Sequence, residues 1–252
     1  MKKISVLISA YDSKEFILDA IHSVIFQKLP KNYSLEIIIG VDGCKRTWEA
    51  ISNLRYKAIK LINMAHNYGP YVTFNTMMRF ATGDLIARFD ADDVMLQNYL
   101  YHQILILDSS ADIQITRTWS IYTDLNYSPL AAPLANGTRT SPDGKRKRGS
   151  DGQFIMKKQV WKALGSFKPW KCFADSDFLT RARFLGVNIY ELDKYLYLRR
   201  VHNKCLTLKN ETSYNSRLRQ TYKEIMESDK SSYARRSDVF ISPVIGYIEN
   251  VV

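Results

Sequence analysis

The first half of the chain alternates short apolar runs with segments whose apolar residues recur at helical spacing. "ISVLIS" (4–9) reads as a buried strand, and "KEFILDAIHSVIFQ" (14–27) follows it with Phe16, Ile17, Ala20, Ile21, Val24 and Ile25 on one helical face. "LEIIIGV" (35–41) is a second strand, "TWEAISNL" (47–54) a helix and "IKLI" (59–62) a third strand. "YVTFNTMMRFA" (71–81) is a helix closed by Thr82-Gly83, and "DLIARF" (84–89) is a fourth strand. This alternation with short links predicts an α/β fold, a mixed and mostly parallel sheet flanked by helices. Ligands of such sheets sit outside the carboxyl ends of the strands. The ends of the first, second and fourth strands carry the polar clusters "SAYD", "VDGC" and "DADD", which are expected to meet in one cleft.

The second half is less regular. "YLYHQILILDSS" (99–110) has helical character and "IQITRTWSIYT" (113–123) strand character. Residues 124–150 are basic, rich in Pro, Gly, Ser and Thr, and lack periodicity. A long stretch of this kind inside a compact domain is a functional or a disordered loop. Beyond it come a strand, "GQFIMK" (152–157), two helices, "KQVWKALG" (158–165) and "DSDFLTRARFLG" (175–186), and two strands, "VNIYEL" (187–192) and "KYLYLRRVH" (194–202). Residues 211–237 are charged and helical in part. The expected organisation is one domain over 1–207, with a nucleotide-binding half (1–95) and an acceptor half (96–207), followed by a helical C-terminal extension over 208–252.

With 252 residues, 46% of them apolar, the chain can bury a substantial core and is not a disordered protein. Its longest apolar runs are too short to span a bilayer, and "MKKISVLISAYDSKEF" reaches an aspartate before a signal-peptide core is complete. The expected location is cytoplasmic, either free or peripheral at the inner face of the membrane. Cys44, Cys172 and Cys205 are odd in number and show no CxxC spacing, which excludes a full disulfide framework and argues against a zinc cluster. The net charge of +11 is concentrated in part in "RTSPDGKRKRG" (139–149), a segment suited to an anionic acceptor or an anionic lipid surface. No RNA- or DNA-binding signature accompanies it, so nucleic acid is not an expected partner.

Candidate chemistry begins at "RFDADDVM" (88–95), where Asp90, Asp92 and Asp93 crowd the end of a buried strand. Unpaired, they would repel one another and raise each other's pKa. A divalent cation removes the conflict. Mn²⁺ or Mg²⁺ needs only one or two protein carboxylates when phosphates and water complete its shell. The competing reading is the acidic first turn of a helix. Arg199 and Arg200 suit phosphate oxygens, with one facing in and the other out, because strand neighbours point to opposite sides.

Taken in order from about residue 3 to about residue 207, these segments resemble the inverting family-2 glycosyltransferases of the GT-A fold. "IIIGVDGC" resembles that family's second strand with its acidic turn. "NYGPYVTFNTMMRFATGDLIARFDADD" keeps the spacing of its Asn-x-Gly, Asn, Ala-x-Gly and Asp-x-Asp elements. "DGQFIMKKQVWKALGSF" resembles its acceptor-side segment, "FADSDFLTRARFLG" the helix of the catalytic base, and "YLRRVHNKCLT" the closing Arg-x-His segment.

The resemblance implies metal-dependent, inverting transfer from a nucleotide sugar, UDP-linked, to a hydroxyl of a glycan acceptor, lipid-linked acceptors included. The pathway implied is the synthesis of cell-surface polysaccharide, lipopolysaccharide or glycoprotein glycan. It makes Asp92 a metal ligand, puts Asp90 near the ribose or a metal-bound water, and makes His202 the second ligand, whose imidazole favours Mn²⁺ over Mg²⁺. Asp42 accepts a hydrogen bond from the uracil ring, Ala10 and Tyr11 meet the base, and Asn67 and Gly69 support the nucleotide. Arg88, with Arg199 and Arg200, reaches phosphate. Asp175 is the general base, with Asp177 as its rival. The sequence departs from the family at Val41, Phe74 and Ala174, which stand where an aspartate, an arginine and a glutamate are usual. A sugar-phosphate nucleotidyltransferase is the alternative enzyme, but it needs a glycine-rich phosphate loop where "SAYDSKEF" stands. Charge alone would favour a non-catalytic polyanion-binding protein.

Overall fold

Along the first strand, Ile4, Val6 and Ile8 face one side and Leu7 the other, and all four are fully buried. A strand buried on both faces needs helices on both, and the chain supplies them. A computed structural model describes residues 1–131, 140–235 and 239–252. The elements run β1 (Lys2–Ala10), α1 (Ile17–Ile25), β2 (Tyr33–Val41), α2 (Lys45–Ile51), β3 (Ile59–Met64), α3 (Pro70–Met77), β4 (Leu85–Asp90) and β5 (Val94–Met95). They continue with α4 (Tyr99–Ser109), β6 (Ile113–Thr123), β7 (Lys145–Arg146), β8 (Phe154–Lys157), α5 (Lys158–Leu164), α6 (Ala174–Phe184), β9 (Asn188–Arg200), α7 (Arg217–Ala234) and β10 (Ile248–Val251). Positions 132–139 of the basic stretch and 236–238 at the end of the expected C-terminal helix lie outside the described residues.

The strands form a single sheet in the order β10-β3-β2-β1-β4-β8-β6-β9-β5, with β7 paired to β6. The β1–β2, β1–β4, β2–β3 and β6–β9 pairs are parallel, while β8, β5, β7 and β10 pair antiparallel with their neighbours. One apolar layer packs Ile4, Val6, Ile8, Ile37 and Ile39 against Ile17, Ile21 and Ile104. The other packs Leu7, Ile38, Ile62 and Ile86 against Phe74, Val160 and Phe178. The result is the mixed, mostly parallel sheet with flanking helices that the alternation predicts.

Several boundaries differ from the sequence reading, each for a physical reason. The two strands expected at 187–192 and 194–202 are one strand, β9. Its register with β6 jumps from Thr118↔Leu192 to Trp119↔Tyr195, so Asp193 and Lys194 form a bulge rather than a break. The strands β5, β7 and β10 are too short to leave a pattern and exist through their partners. Within the 208–252 stretch, α7 is the expected helix, and β10 then returns to pair with β3. No helix among the described residues is long and apolar enough to cross a membrane.

Behind the sheet, α6 is anchored by a buried ionic network. Asp177 and Arg181, one turn apart, are both fully buried, with Arg181 Nε donating to Asp177 Oδ2 at 2.8 Å. The remaining Arg181 donors reach the carbonyls of Leu164, Ser166 and Val239. Asp177 Oδ1 also accepts from Tyr233 Oη at 2.9 Å and lies 3.0 Å from Lys168 Nζ. Removing one partner of a buried ion pair leaves the other charge uncompensated, at a cost of about 3–5 kcal/mol. Asp177→Ala should therefore lower the unfolding free energy by about that much in denaturant titration. A change below about 1 kcal/mol, the scale of exposed pairs, would mean that the network contributes no more than a surface salt bridge.

Candidate active site

The parallel order β3-β2-β1-β4 reverses direction at β1, so the crevice between the carboxyl ends of β1 and β4 is the topological switch point. Registers bring those ends level: Ala10 lies beside Val41, and Ser9 beside Asp90. A cleft of about 1350 Å³ opens there. Tyr11, Asp42, Asn67, Gly69, Arg88, Asp90, Asp92, Asp175, Arg199, Arg200 and His202 all line it. Ala10 does not; its side chain is buried and its carbonyl receives the Asp42 N–H at 2.9 Å.

The acidic cluster is tightly held. Oxygens of Asp90, Asp92 and Asp93 lie within 4.8 Å of one another, and so do the ligand atoms of Asp92, His202 and Cys205. His202 Nε2 meets Asp92 Oδ2 at 3.1 Å, and Phe16 packs against the imidazole with ring centroids 4.3 Å apart. Gln153 Nε2 bridges Asp90 Oδ2 at 3.1 Å and Asp93 Oδ2 at 2.6 Å, and the Arg200 N–H donates to Asp93 Oδ1. Burial pushes Asp90 and Asp93 above the usual carboxylate range, and the Asp92 charge adds to the rise in both; Arg88 opposes it at Asp90. Burial acts on Asp92 too, but the bond from His202 holds its carboxyl below the ordinary value. Oxygen donors with one imidazole suit Mn²⁺ or Mg²⁺, and buried Gln153 Oε1 and His202 Nδ1 have no partner among the described residues. The donor set fits a divalent ion.

Asp175 and Asp177 part company. Asp175 opens α6 on the cleft side and accepts its neighbour Ser176's N–H at 2.9 Å. Burial pushes the nearby Tyr71 hydroxyl well up, and the Asp175 charge adds to the rise. Asp177 is saturated in the network behind the sheet. Gly152 separates Asp175 from the acidic cluster: a Cβ there would lie 2.9 Å from Arg88 Nη1, 3.3 Å from Asp175 Oδ2 and 3.5 Å from Asp90 Oδ2. Arg88 bonds the Gly152 carbonyl and pairs with Asp90 at 3.0 Å. Gly152 and Gln153 were not among the expected site residues, although "DGQFIMK" was expected as a strand and as the start of the acceptor-side segment.

On the nucleotide side, both oxygens of buried Asp42 accept backbone N–H groups, from Tyr68 at 2.8 Å and Gly69 at 2.9 Å. Burial raises its pKa against those bonds. Asn67 Oδ1 accepts from Gly69 as well. Gly43 makes the turn possible: its φ is +64°, and a Cβ would fall 2.3 Å from the His66 backbone. Tyr11 is 48% exposed, with Lys209 over its ring. Lys204 ties the closing segment to Asp12 and Glu15.

The arginine pair divides as strand geometry requires. Arg200 is spent on the fold, bonding Asp19 at 2.8 Å, the Phe16 and Asp92 carbonyls, and Tyr127. Arg199 makes two long bonds, to Tyr122 Oη and Ser150 Oγ, both at 3.4 Å. The basic stretch also reaches the cleft. Lys145 and Arg146 form β7, and Lys145 to Arg148 are all lining residues.

The family model Glycosyl transferase family 2 matches residues 5–186. The chain belongs to glycosyl transferase family 2. It is 28% identical over 200 residues to "Putative glycosyltransferase EpsE" of Bacillus subtilis, covering 77% of this chain and 72% of that protein. It is 27% identical over 144 residues to the Escherichia coli "UDP-Glc:alpha-D-GlcNAc-diphosphoundecaprenol beta-1,3-glucosyltransferase WfaP", covering 52% of this chain and 56% of that one. Among solved structures, the mannosyltransferase PcManGT from Pyrobaculum calidifontis, in complex with GDP-Man and Mn²⁺, aligns with a TM-score of 0.61. The identity there is 15%, over 80% of this chain and 57% of that chain. The chain thus spans little more than half the length of WfaP and of PcManGT. Family membership identifies an enzyme of the glycosyltransferase class, and the architecture is the GT-A fold.

In a family-2 enzyme the space around Gly152 becomes the sensitive point of this cleft. Gly152→Ala would set a Cβ 2.9 Å from Arg88 Nη1, among Arg88, Asp90 and Asp175, and force the buried arginine to shift. We expect a folded protein with a somewhat lowered thermal midpoint and a loss of turnover of more than about tenfold, equivalent to about 1.4 kcal/mol in the barrier. Full turnover in that variant would show that the two carboxylates do not act on one substrate.

Proposed function

We propose that this enzyme transfers a sugar, with inversion, from a UDP-sugar to a hydroxyl of a glycan acceptor during cell-surface polysaccharide synthesis. One observation carries the reading: Asp90 of the acidic cluster, which His202 joins through Asp92, and the cleft-facing Asp175 flank the same glycine. The site-residue roles that follow rest on it.

Tyr11, Asp42 and the Asn67–Gly69 turn form the nucleotide side, with Asp42 stiffening the turn. Arg199, without a carboxylate in direct contact among the described residues, faces the donor diphosphate, and Arg88 positions Asp90. Arg200 braces Asp92 and Asp93. Asp92 and His202 would hold Mn²⁺ or Mg²⁺, which stabilises negative charge on a departing diphosphate. Asp175, oriented by the Ser176 N–H, takes the acceptor hydroxyl proton on its carboxylate. PcManGT was solved with GDP-Man and Mn²⁺, and WfaP is named for UDP-Glc, so metal use accords with a structural neighbour and the nucleotide with a curated relative.

For the acceptor, the basic wall at Lys145 to Arg148 favours an anionic molecule, and WfaP is named for a diphosphoundecaprenol-linked sugar. A lipid-diphosphate acceptor would bring the enzyme to the inner face of the membrane as a peripheral protein. The division into a nucleotide half (1–95), an acceptor half (96–207) and an extension (208–252) belongs to the same reading.

A nucleotide-sugar hydrolysis screen with Mn²⁺ tests the donor side. Turnover should appear with a UDP-sugar and vanish in Asp92→Asn. Asp175→Asn should keep donor affinity in calorimetry while transfer falls about 10²- to 10⁴-fold, the usual contribution of a general base. Transfer that survives in Asp175→Asn would remove this base assignment.

Lys147→Ser with Arg148→Ser tests the acceptor side, since both side chains are exposed. Each is worth about 1 kcal/mol against an anionic surface, so KM for a diphosphate-linked acceptor should rise about tenfold or more. Donor hydrolysis should be unaffected, and the difference should shrink as salt is raised. An unchanged KM would return the segment to being a solvated surface.

A further inference from the structure

Cysteine spacing argued against a zinc cluster, yet the fold carries one sulfur to the cation site. Cys205 Sγ lies 4.0 Å from Asp92 Oδ2, the oxygen that also meets His202 Nε2 at 3.1 Å. The three ligand atoms fall within 4.8 Å of one another. The turn after β9 holds the sulfur in place: the His202 N–H donates to it at 3.5 Å, and the thiol donates to the Arg200 carbonyl, also at 3.5 Å. Zinc–ligand bonds of about 2.0–2.3 Å in a tetrahedron set ligand atoms roughly 3.3–3.7 Å apart. The Asp92–His202 and Asp92–Cys205 separations need shifts of about 0.2–0.5 Å, and the His202–Cys205 separation, within 4.8 Å, one of about 1.3 Å at most.

We propose that Asp92, His202 and Cys205 form a zinc-binding state of the cation site, in which zinc displaces the ion that serves turnover. The proposal deepens the assignment of Asp92 and His202 as cation ligands and rests on it. Thiolate is a soft ligand that favours Zn²⁺ over Mn²⁺ or Mg²⁺, and Zn²⁺ also lies above Mn²⁺ in the affinity order for divalent ions. Three protein ligands on a four-coordinate ion leave one open position, whereas a six-coordinate ion held by two residues leaves four. Zinc would therefore bind more tightly and accommodate the diphosphate less well. The step balances without a redox partner: the S–H bond breaks, a Zn–S bond forms and the proton leaves to solvent. Cys205 thus acts as a metal-specificity residue.

Cobalt(II) is the probe, because it takes zinc's tetrahedral geometry and shows a thiolate-to-cobalt charge-transfer band in the near ultraviolet. Co²⁺ is titrated into the metal-free full chain with no nucleotide present. The band should appear in the parent, Cys44→Ser and Cys172→Ser proteins, be absent from Cys205→Ser, and bleach on addition of Zn²⁺. Zinc affinity by competition should fall at least about tenfold in Cys205→Ser, a lower bound set by the cost of losing even an outer-shell partner. Circular dichroism checks that this near-isosteric variant is folded. A parent protein without the band, or a band that persists in Cys205→Ser, overturns the proposal. Because no sugar nucleotide takes part, a protein that turned over no donor would leave the cobalt result standing and fail only the transferase reading.

Discussion

Three carboxylates crowd the end of a buried strand, and the surroundings of the cleft answer to that crowding. Desolvation and mutual repulsion both oppose their ionisation. Each receives a separate counterweight: Arg88 beside Asp90, His202 on Asp92, and the Arg200 N–H with Gln153 on Asp93. These partners come from β4, from the residue before β8 and from the end of β9. The antiparallel return of β8 and the long parallel pairing of β6 with β9 are therefore what deliver Gln153, Arg200 and His202 to the carboxylates. Even so, Asp90 and Asp93 remain raised, so a cation at this point would relieve a strain that the protein's own groups only reduce.

Charged residues occur here in close pairs that share out structure and chemistry. On a helix, positions two apart sit about 200° around the axis, so Asp175 faces the cleft while Asp177 faces Arg181 and Lys168. On a strand, neighbours alternate, so Arg199 looks into the cleft while Arg200 is locked against α1. The buried member of each pair fixes the backbone that aims the other. Asp177 and Arg200 are thus committed to the fold, although their motifs alone would not tell them from Asp175 and Arg199.

The first half of the fold was legible because its strands are buried on both faces and α1 on one, which leaves continuous and periodic runs, while α3, buried all round, showed through its closing Thr82-Gly83. The convergence of the "SAYD", "VDGC" and "DADD" ends followed from parallel topology alone. Illegible were features defined by a partner rather than by a pattern. The two-residue strands β5 and β7 have no period to detect, β10 is specified by the open edge of β3, and the Asp193-Lys194 bulge looks in sequence like the end of a strand. Gly152 matters because Arg88, Asp90 and Asp175 close around it, and Gln153 because two carboxylates face it. One signal was available: a glycine and a polar amide standing directly before an apolar strand that pairs with the strand bearing the aspartates.

The excess of positive charge acquires a location that composition could not give it. Lys145 sits over Tyr195, Arg146 over Tyr122 and Lys147 over Trp119, rings carried by β6 and β9. Each such contact is worth about 0.5–1 kcal/mol at an exposed site, enough to bias a lysine or arginine toward the ring rather than toward open solvent. The aromatic faces therefore turn a basic segment into a wall of the cleft that also holds the acidic cluster. At physiological salt, charges more than about 8 Å apart are largely screened where water reaches them. Acidic and basic regions of one cleft can then keep opposite preferences, the first for a cation and the second for an anion, without cancelling. In the proposed reading the first would meet a metal-bound donor and the second a separate anionic acceptor.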